Sequence, residues 1–505
     1  MKSISLDGTW EIVSADNVYR GACEVPGTVF SVLESDPVFG GKGIFHRENN
    51  RFCLDMIDRD FIFRRSFFID AALYEKIRDA ASRTYLEAQG LDTLAKITVN
   101  GVVAGETDNM HRRYAFDTGA ALRPGENLIE ICFSNTLDYI RREHPKRRLW
   151  HSYRGRPDIA FEGFNVIRKS HCSYGWDWGP VVPDAGIWRP IRIAVYEGAK
   201  IDHVAVMQRH ESDGVTLTVT PGVSVWADGD YTIEAAVTDP EGQTGHYPVS
   251  VSGATTIKID NPRLWWPNGL GGQPLYTLRF SLNHAGCEID RHLLRTGLRT
   301  ITVRREKDRW GESFAFEVNG VPVFARGADY IPEDIILTRV SRERTERLLR
   351  DCVAANFNMI RVWGGGVYPS DDFYDLCDRL GLMVWQDLMF ACALYDIDNE
   401  RFLENLRGEV RDNLLRLRHH AGLALICGNN EMEWGFVDWD FPRTEENRRE
   451  YLKQYQRVFP EIAREVCPQT FYWPASPSSG GDFDRPNAPD RGDCHYWEVW
   501  HGGKD

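Results

Sequence analysis

The first 200 or so residues alternate apolar and polar positions in short runs separated by turns. Thr9–Val13, Phe61–Phe68, Thr84–Ala88, Ala95–Asn100 and Asn127–Phe133 read as strands, with turns at Asn100–Gly101 and Pro124–Gly125. Such spacing predicts a β-sandwich. A stretch from about Asn135 to Ser173, rich in Arg and His, breaks the alternation and reads as a long irregular loop, the kind that often carries function. A second strand-rich segment follows to about Arg304. Its strands at Val215–Val219, Tyr231–Thr238 and Leu275–Leu282 have the texture of an immunoglobulin-like sandwich.

Beyond Ile301 the period changes. Strands at Val321–Arg326, Met359–Trp363, Leu382–Leu388, Leu423–Cys427, Thr470–Pro474 and Cys494–Trp497 alternate with helices at Ser341–Asn356, Ser370–Leu380, Asn399–His419 and Glu446–Val466. Ser341 and Ser370 are helix-start residues, and Gly381 follows a helix end. Strands alternating with helices imply a parallel sheet with right-handed crossovers. Its expected closed form is an eight-stranded (β/α) barrel, whose active site lies at the C-terminal strand ends. The expected domains are therefore 1–199, 200–303 and 304–505. Six barrel strands are expected within the chain, which implies a barrel truncated before its seventh strand.

Composition narrows the function. The net charge of −14, from 60 basic and 74 acidic residues of both signs throughout, disfavours nucleic acid as a partner. No run approaches membrane-span length, and MKSISLDGTW lacks a signal-type apolar core, so a cytoplasmic protein with no membrane partner is expected. Eleven scattered cysteines without paired metal spacing read as free thiols in a reducing compartment. No metal constellation stands out. Sixteen tryptophans raise the expectation of a sugar ligand, because an indole face packs well on a sugar ring.

The sharpest chemical signal is Leu425-Ile426-Cys427-Gly428-Asn429-Asn430-Glu431. An apolar strand ends in a glycine, two amides and a carboxylate, which sets Asn430 and Glu431 at the catalytic rim. Glycoside hydrolysis needs a carboxylic acid to protonate the leaving oxygen and a second carboxylate across the sugar ring. Glu431 in that role calls for a raised pKa. Capping of a helix N-terminus is the competing role for the same residues. Trp363, before Gly364-Gly365-Gly366, and Trp497 are candidate walls of a sugar site, with Trp434 and Trp473 weaker candidates. Arg361 suits either orientation of a carboxylate or a buried ion pair. Asp387 suits sugar binding or helix capping. His419-His420 read as structural at a helix end, and His495 lies near a strand end. The triple glycine lacks the Lys-Ser/Thr of a phosphate loop. No Gly-x-Ser-x-Gly elbow occurs.

Motifs along the whole chain carry a resemblance. They are Leu6-Asp7-Gly8-Thr9-Trp10, Val25-Pro26-Gly27-Thr28, Gly90-Leu91-Asp92-Thr93, Asn109-Met110-His111 and Tyr174-Gly175-Trp176-Asp177-Trp178-Gly179-Pro180. Leu264-Trp265-Trp266-Pro267-Asn268-Gly269, Arg361-Val362-Trp363-Gly364-Gly365-Gly366 and His495-Tyr496-Trp497-Glu498-Val499-Trp500-His501-Gly502 follow in order. Together they resemble family two of the glycoside hydrolases, in its β-mannosidase branch. The resemblance implies a galactose-binding-like sandwich, an immunoglobulin-like sandwich and a TIM barrel. It implies retaining exo-hydrolysis of terminal β-mannose from oligosaccharides without a cofactor. Glu431 becomes the acid/base, Asn430 the holder of the sugar 2-hydroxyl, and Asp177 a residue that reaches from the sandwich to the terminal sugar. The family nucleophile, a Glu in a Ser-Glu-Phe-Gly-like motif after the seventh strand, is absent from the chain. The chain alone is therefore expected to be inactive. A β-galactosidase, β-glucuronidase or exo-glucosaminidase, or a non-catalytic carbohydrate-binding protein, are the alternatives.

Overall fold

The computed structural model describes every residue except Ser35, Arg148, His501 and Asp505. The N-terminal sandwich pairs a six-stranded antiparallel sheet with a four-stranded one. In the larger sheet Phe61–Ile69 runs beside Gly125–Phe133, with Phe63 opposite Ile131. Alternate residues of these strands turn inward, as a two-residue side-chain period requires. Phe63, Ile97, Ile129 and Ile131 meet Leu86 and Ile193 of the other sheet in one core.

The second sandwich has sheets of three and four strands, with Ala199–Glu211 beside Gly214–Val225 and Tyr231–Thr238 beside Tyr276–His284. It closes on its own core, including Leu217, Ala235, Leu278 and Phe280.

The third region is a five-stranded sheet, Gly327–Tyr330, Met359–Val362, Met383–Asp387, Leu423–Cys427 and Phe471–Trp473, parallel throughout and in chain order. Helices Arg342–Ala354, Asp371–Leu380 and Glu400–Leu417 make the crossovers, capped by Ser341, preceded by Ser370 and capped by Asn399 respectively. Their apolar faces share one continuous core with the first sandwich; Leu403, Leu406 and Val410 belong to it, as do Phe164 and Tyr174. The two regions are therefore packed as one body. None of the described helices is long and apolar enough to cross a membrane.

Four expectations are corrected. Val321–Arg326 does not open the parallel sheet. Val321–Val323 turns back on Ala315–Val318 as an antiparallel hairpin, because Asn319 and Gly320 both adopt positive φ. The parallel sheet starts at Gly327, where any Cβ would lie 1.8 Å from the Met359 carbonyl oxygen. Cys494–Trp497 forms no strand. The His495 amide donates to Asn487 Oδ1 at 2.8 Å, and Asn487 Nδ2 donates to the His495 carbonyl at 3.1 Å, so a side chain takes the place of a sheet neighbour. Five parallel strands thus stand among the described residues where six were expected. The Asn135–Ser173 stretch begins with a helix, Thr136–Arg147, because Asn135 Oδ1 accepts from the Leu137 and Asp138 amides and Leu137 and Ile140 bury one face. The expected Glu446–Val466 helix has a π-helical middle at Lys453–Val458; it lies just before Pro460, which has no amide to donate.

Candidate active site

The Leu423–Cys427 strand delivers Asn430 and Glu431 to the sheet rim through a close strand approach at Gly428 and a left-handed residue at Glu431. Gly428 passes the neighbouring strand so closely that a Cβ would lie 2.3 Å from the Pro474 carbonyl oxygen. Glu431 then adopts the left-handed conformation, φ 63 and ψ 5, at the start of the Met432–Asp438 helix. A non-glycine residue pays about 1–3 kcal/mol for that conformation. It is held there by backbone bonds from Glu431 N to Ser476 O and from Gly435 N to Glu431 O, both 2.8 Å. Glu431 makes no side-chain cap bond, so the capping role weighed for it is not taken up.

Side chains then converge on the carboxylate. Asn430 Nδ2 donates to Glu431 Oε2 at 3.2 Å, and the Cys392 thiol lies 3.4 Å from the same oxygen. His495 Nδ1 lies 2.8 Å from Glu431 Oε1, and its Nε2 lies 2.9 Å from Ser476 Oγ. Ser476 Oγ in turn donates to Asp493 Oδ2 at 2.6 Å. Arg361 is the second centre. It donates to Asp387 Oδ2 at 2.7 Å, to Asn430 Oδ1 at 2.8 Å and to Asp329 Oδ1 at 3.2 Å.

The pKa expectation for Glu431 is reversed. Burial raises the carboxyl, but the His495 hydrogen bond and charge, together with Arg361, outweigh it and leave Glu431 below its ordinary 4.5. Two residues on, Glu433 is pushed up to about 7 by burial, which its bonds from Ser478 Oγ and the Phe483 amide only partly offset. Asp387 is likewise raised by burial against the pull of Arg361.

All five residues singled out for the site, Asp177, Trp363, Asn430, Glu431 and Trp497, line one cavity of about 660 Å³. Trp363 is buried, with its ring edge-to-face to Trp176 at 4.9 Å and to Trp178 at 5.5 Å. Asp177 is exposed between those two indoles. Trp150, Trp434, Trp439 and Trp497 complete an aromatic lining of seven tryptophans. Trp434 therefore reaches the cavity, while Trp473 packs in the core on Phe471 and Phe314. Asp387 neither faces the cavity nor caps a helix. It is buried, holding Arg361 and accepting from the Gly364 amide at 3.1 Å. His420 is structural, bonded to Asp378 Oδ2 at 2.7 Å.

Sequence reasoning did not identify Trp150, Ser152, Tyr153, Asp329, Cys392, Trp439 and Asp440 as cavity residues. The first three lie in the long Arg- and His-rich stretch, whose length was a signal without a residue attached. Among the described residues, the groups close enough to hold a metal are His144, His151 and Glu162, and Asp398, Glu446 and Glu450; neither group lies in this cavity.

Residues 10–189 match the description "Glycosyl hydrolase 2 galactose-binding domain-like", and residues 199–299 match "Glycosyl hydrolases family 2". The β-mannosidase B of Aspergillus niger is 32% identical over 99% of this chain and 60% of its own length. That of Aspergillus clavatus is 36% identical over 84% of the chain and 52% of its own length. The crystal structure of a β-D-mannosidase from Dictyoglomus thermophilum superposes with a TM-score of 0.90 at 33% identity, covering 100% of this chain and 61% of that one. An exo-chitosanase from Amycolatopsis orientalis shares the fold at a TM-score of 0.68 and 18% identity. The chain thus spans 52–60% of the length of these two curated relatives. Both sandwich domains match the family's own descriptions, and relatives above 30% identity extend over the rest, so the chain belongs to family 2 of the glycosyl hydrolases.

Proposed function

We propose that the tryptophan-lined cavity is the sugar site of a retaining exo-β-mannosidase. Glu431 serves as acid/base, Asn430 as the partner of the sugar 2-hydroxyl, Asp177 as a contact to the terminal sugar, and Trp363 and Trp497 as walls. The observation that carries this reading is the convergence of a rim carboxylate, its neighbouring amide and seven indoles on one cavity. The names of the relatives support mannose as the sugar. Its one arginine, Arg361, is committed to Asp387, Asn430 and Asp329, which disfavours a uronic acid among the described residues.

In this reading the domains run 1–199, 200–303 and 304–505. The five parallel strands form part of a (β/α)8 barrel, and the nucleophilic carboxylate lies beyond residue 505. A retaining pair stands about 5–5.5 Å apart. A second carboxylate at that distance would raise Glu431 by like-charge repulsion, so that it could donate a proton near neutral pH. Glu431 protonates the leaving oxygen while the nucleophile attacks the anomeric carbon, and then deprotonates the water that releases the sugar. The test is hydrolysis of nitrophenyl β-glycosides by this chain and by one extended by about 150 residues, enough to complete a barrel of typical size. The reading expects β-mannoside cleavage by the extended protein and a reduced rate in Glu431→Gln. Preferential cleavage of another glycoside, or turnover by the 505-residue chain alone, would overturn it.

A further inference from the structure

Three side chains meet on the segment that carries Trp150 and Ser152 to the tryptophan-lined cavity. His144 stands near the end of the Thr136–Arg147 helix, His151 is buried, and Glu162 is 43% exposed. His144 Nε2 lies 3.6 Å from Glu162 Oε1, and His151 Nε2 lies 3.7 Å from the same oxygen. Both separations exceed a hydrogen bond. The other carboxylate oxygen, Oε2, accepts from the Gly155 amide at 3.0 Å, which fixes the carboxylate with Oε1 turned to the rings. One donor atom from each residue lies within 4.8 Å of the other two.

Metal–nitrogen and metal–oxygen bonds of 2.0–2.2 Å in a tetrahedron put neighbouring ligand atoms roughly 3.3–3.6 Å apart, and the separations of 3.6 and 3.7 Å lie at and just above the upper end of that range. The local backbone serves the same arrangement. Gly163, at φ +84, passes so close to His144 that a Cβ would lie 2.5 Å from its ring. His151 is held by contact with Phe164, ring centres 4.8 Å apart.

We infer that His144, His151 and Glu162 form a binding site for a divalent first-row cation of the zinc type, with water as the fourth ligand. Two imidazoles and one carboxylate suit such an ion better than calcium or magnesium, which prefer oxygen. Coordination through His151 Nε2 replaces the hydrogen bond it accepts from the Gly163 amide at 3.1 Å. The exposed flank of Glu162 gives access, and His144 and Glu162 also line a cavity of about 440 Å³. The ion would pin both ends of the 144–162 segment, which carries Trp150, Ser152 and Tyr153 into the tryptophan-lined cavity. The role is structural, and it holds whether or not that cavity cleaves mannosides.

The test uses the untagged 505-residue chain after dialysis against a chelator. Calorimetric titration with Zn²⁺ is expected to give one equivalent at micromolar affinity or tighter, and Co²⁺ to give the visible bands of a four-coordinate ion. Glu162→Gln, a change at a partly exposed position, and His144→Ala are each expected to weaken binding by about 100-fold or more. Asp398→Asn, in the separate acidic group, is expected to leave it unchanged. Circular dichroism of the metal-free variants checks that they are folded, and either variant suffices if the other is not. Absence of saturable binding to the parent chain, or equal affinity in a folded variant, overturns the proposal.

Discussion

Asn430 bridges Arg361 and Glu431: its Oδ1 accepts from Arg361 Nη2 at 2.8 Å while its Nδ2 donates to Glu431 Oε2 at 3.2 Å. The amide cannot flip without facing its own NH₂ to a guanidinium. Its donor therefore stays on the cavity side, beside the carboxylate. Asn430→Ala in the extended protein is expected to lower kcat/KM for a β-mannoside by about 10²–10³-fold, the size of a transition-state contact to the sugar 2-hydroxyl. A 2-deoxy substrate should lose little further rate in that variant. Equal losses for the two substrates would remove Asn430 from that role.

Glu431→Gln removes a transferable proton and keeps the shape. General acid catalysis contributes about 10²–10⁴-fold. The loss should be largest for alkyl mannosides, whose leaving oxygen needs the proton, and smaller for activated nitrophenyl mannosides. Steady-state rates on the two substrates decide the point, and a uniform loss would argue for a binding role.

His495 is the main influence that holds the Glu431 carboxyl down against burial. The carboxyl is depressed, so its contribution to stability is present in full above 4.5 and is lost as pH falls through its lower folded value. His495→Ala deletes the largest lowering influences and leaves burial to raise the group. Acid unfolding of the variant is expected to begin at higher pH than in the parent chain, as followed by circular dichroism. Coincident acid transitions would mean that His495 does not hold the carboxylate in solution.

Glu433 carries the opposite sign. Its carboxyl is raised to about 7, so the folded state binds the proton more tightly than the unfolded chain. That stabilisation is complete below about 4.5 and is lost as pH rises through 7, amounting to about 3 kcal/mol over the interval. Urea midpoints at pH 5 and pH 7.5 measure it. Glu433→Gln should flatten the difference, and a midpoint as pH-dependent as the parent's would assign the effect elsewhere.

Arg168 and Glu409 join the first sandwich to the Glu400–Leu417 helix through two bonds of 2.7 and 2.8 Å, both side chains buried. Arg168→Met leaves the Glu409 charge unpaired and is expected to cost about 3–5 kcal/mol. The double change with Glu409→Leu should recover much of that loss, because an apolar pair of similar volume needs no compensation. A single variant within about 0.5 kcal/mol of the parent in denaturant unfolding would show that the pair does not couple the two regions.

Much of this was legible in the chain, and the exceptions have identifiable causes. The Leu423–Cys427 strand was read to the residue, because five consecutive apolar residues before a glycine leave little else to form. Ser341 marked a helix start correctly, since a cap is a local interaction, whereas Ser370 precedes its helix without a side-chain cap bond. The first parallel strand was misplaced because Val321–Val323 and Gly327–Tyr330 are both short. What separates them is a turn at Asn319–Gly320 and a close approach at Gly327, and the second of these depends on Met359, distant in sequence. Cys494–Trp497 has strand-like composition, but Asn487 supplies the partner that a sheet would otherwise give.

The sequence by itself determined the two sandwiches, the alternation of strands and helices after residue 301, and the placing of Asn430 and Glu431 at a strand end, because periodicity, caps and turns act between near neighbours. Only the tertiary structure decided that His495 holds Glu431, that Asp387 binds Arg361, and that the 144–162 segment brings Trp150 to the cavity and sets His144, His151 and Glu162 together. Those outcomes rest on contacts between residues that are not near neighbours in sequence, such as the 26 positions from Arg361 to Asp387 and the 64 from Glu431 to His495. A charge acts through space, so the downward shift of Glu431 could be read only once His495 and Arg361 were beside it.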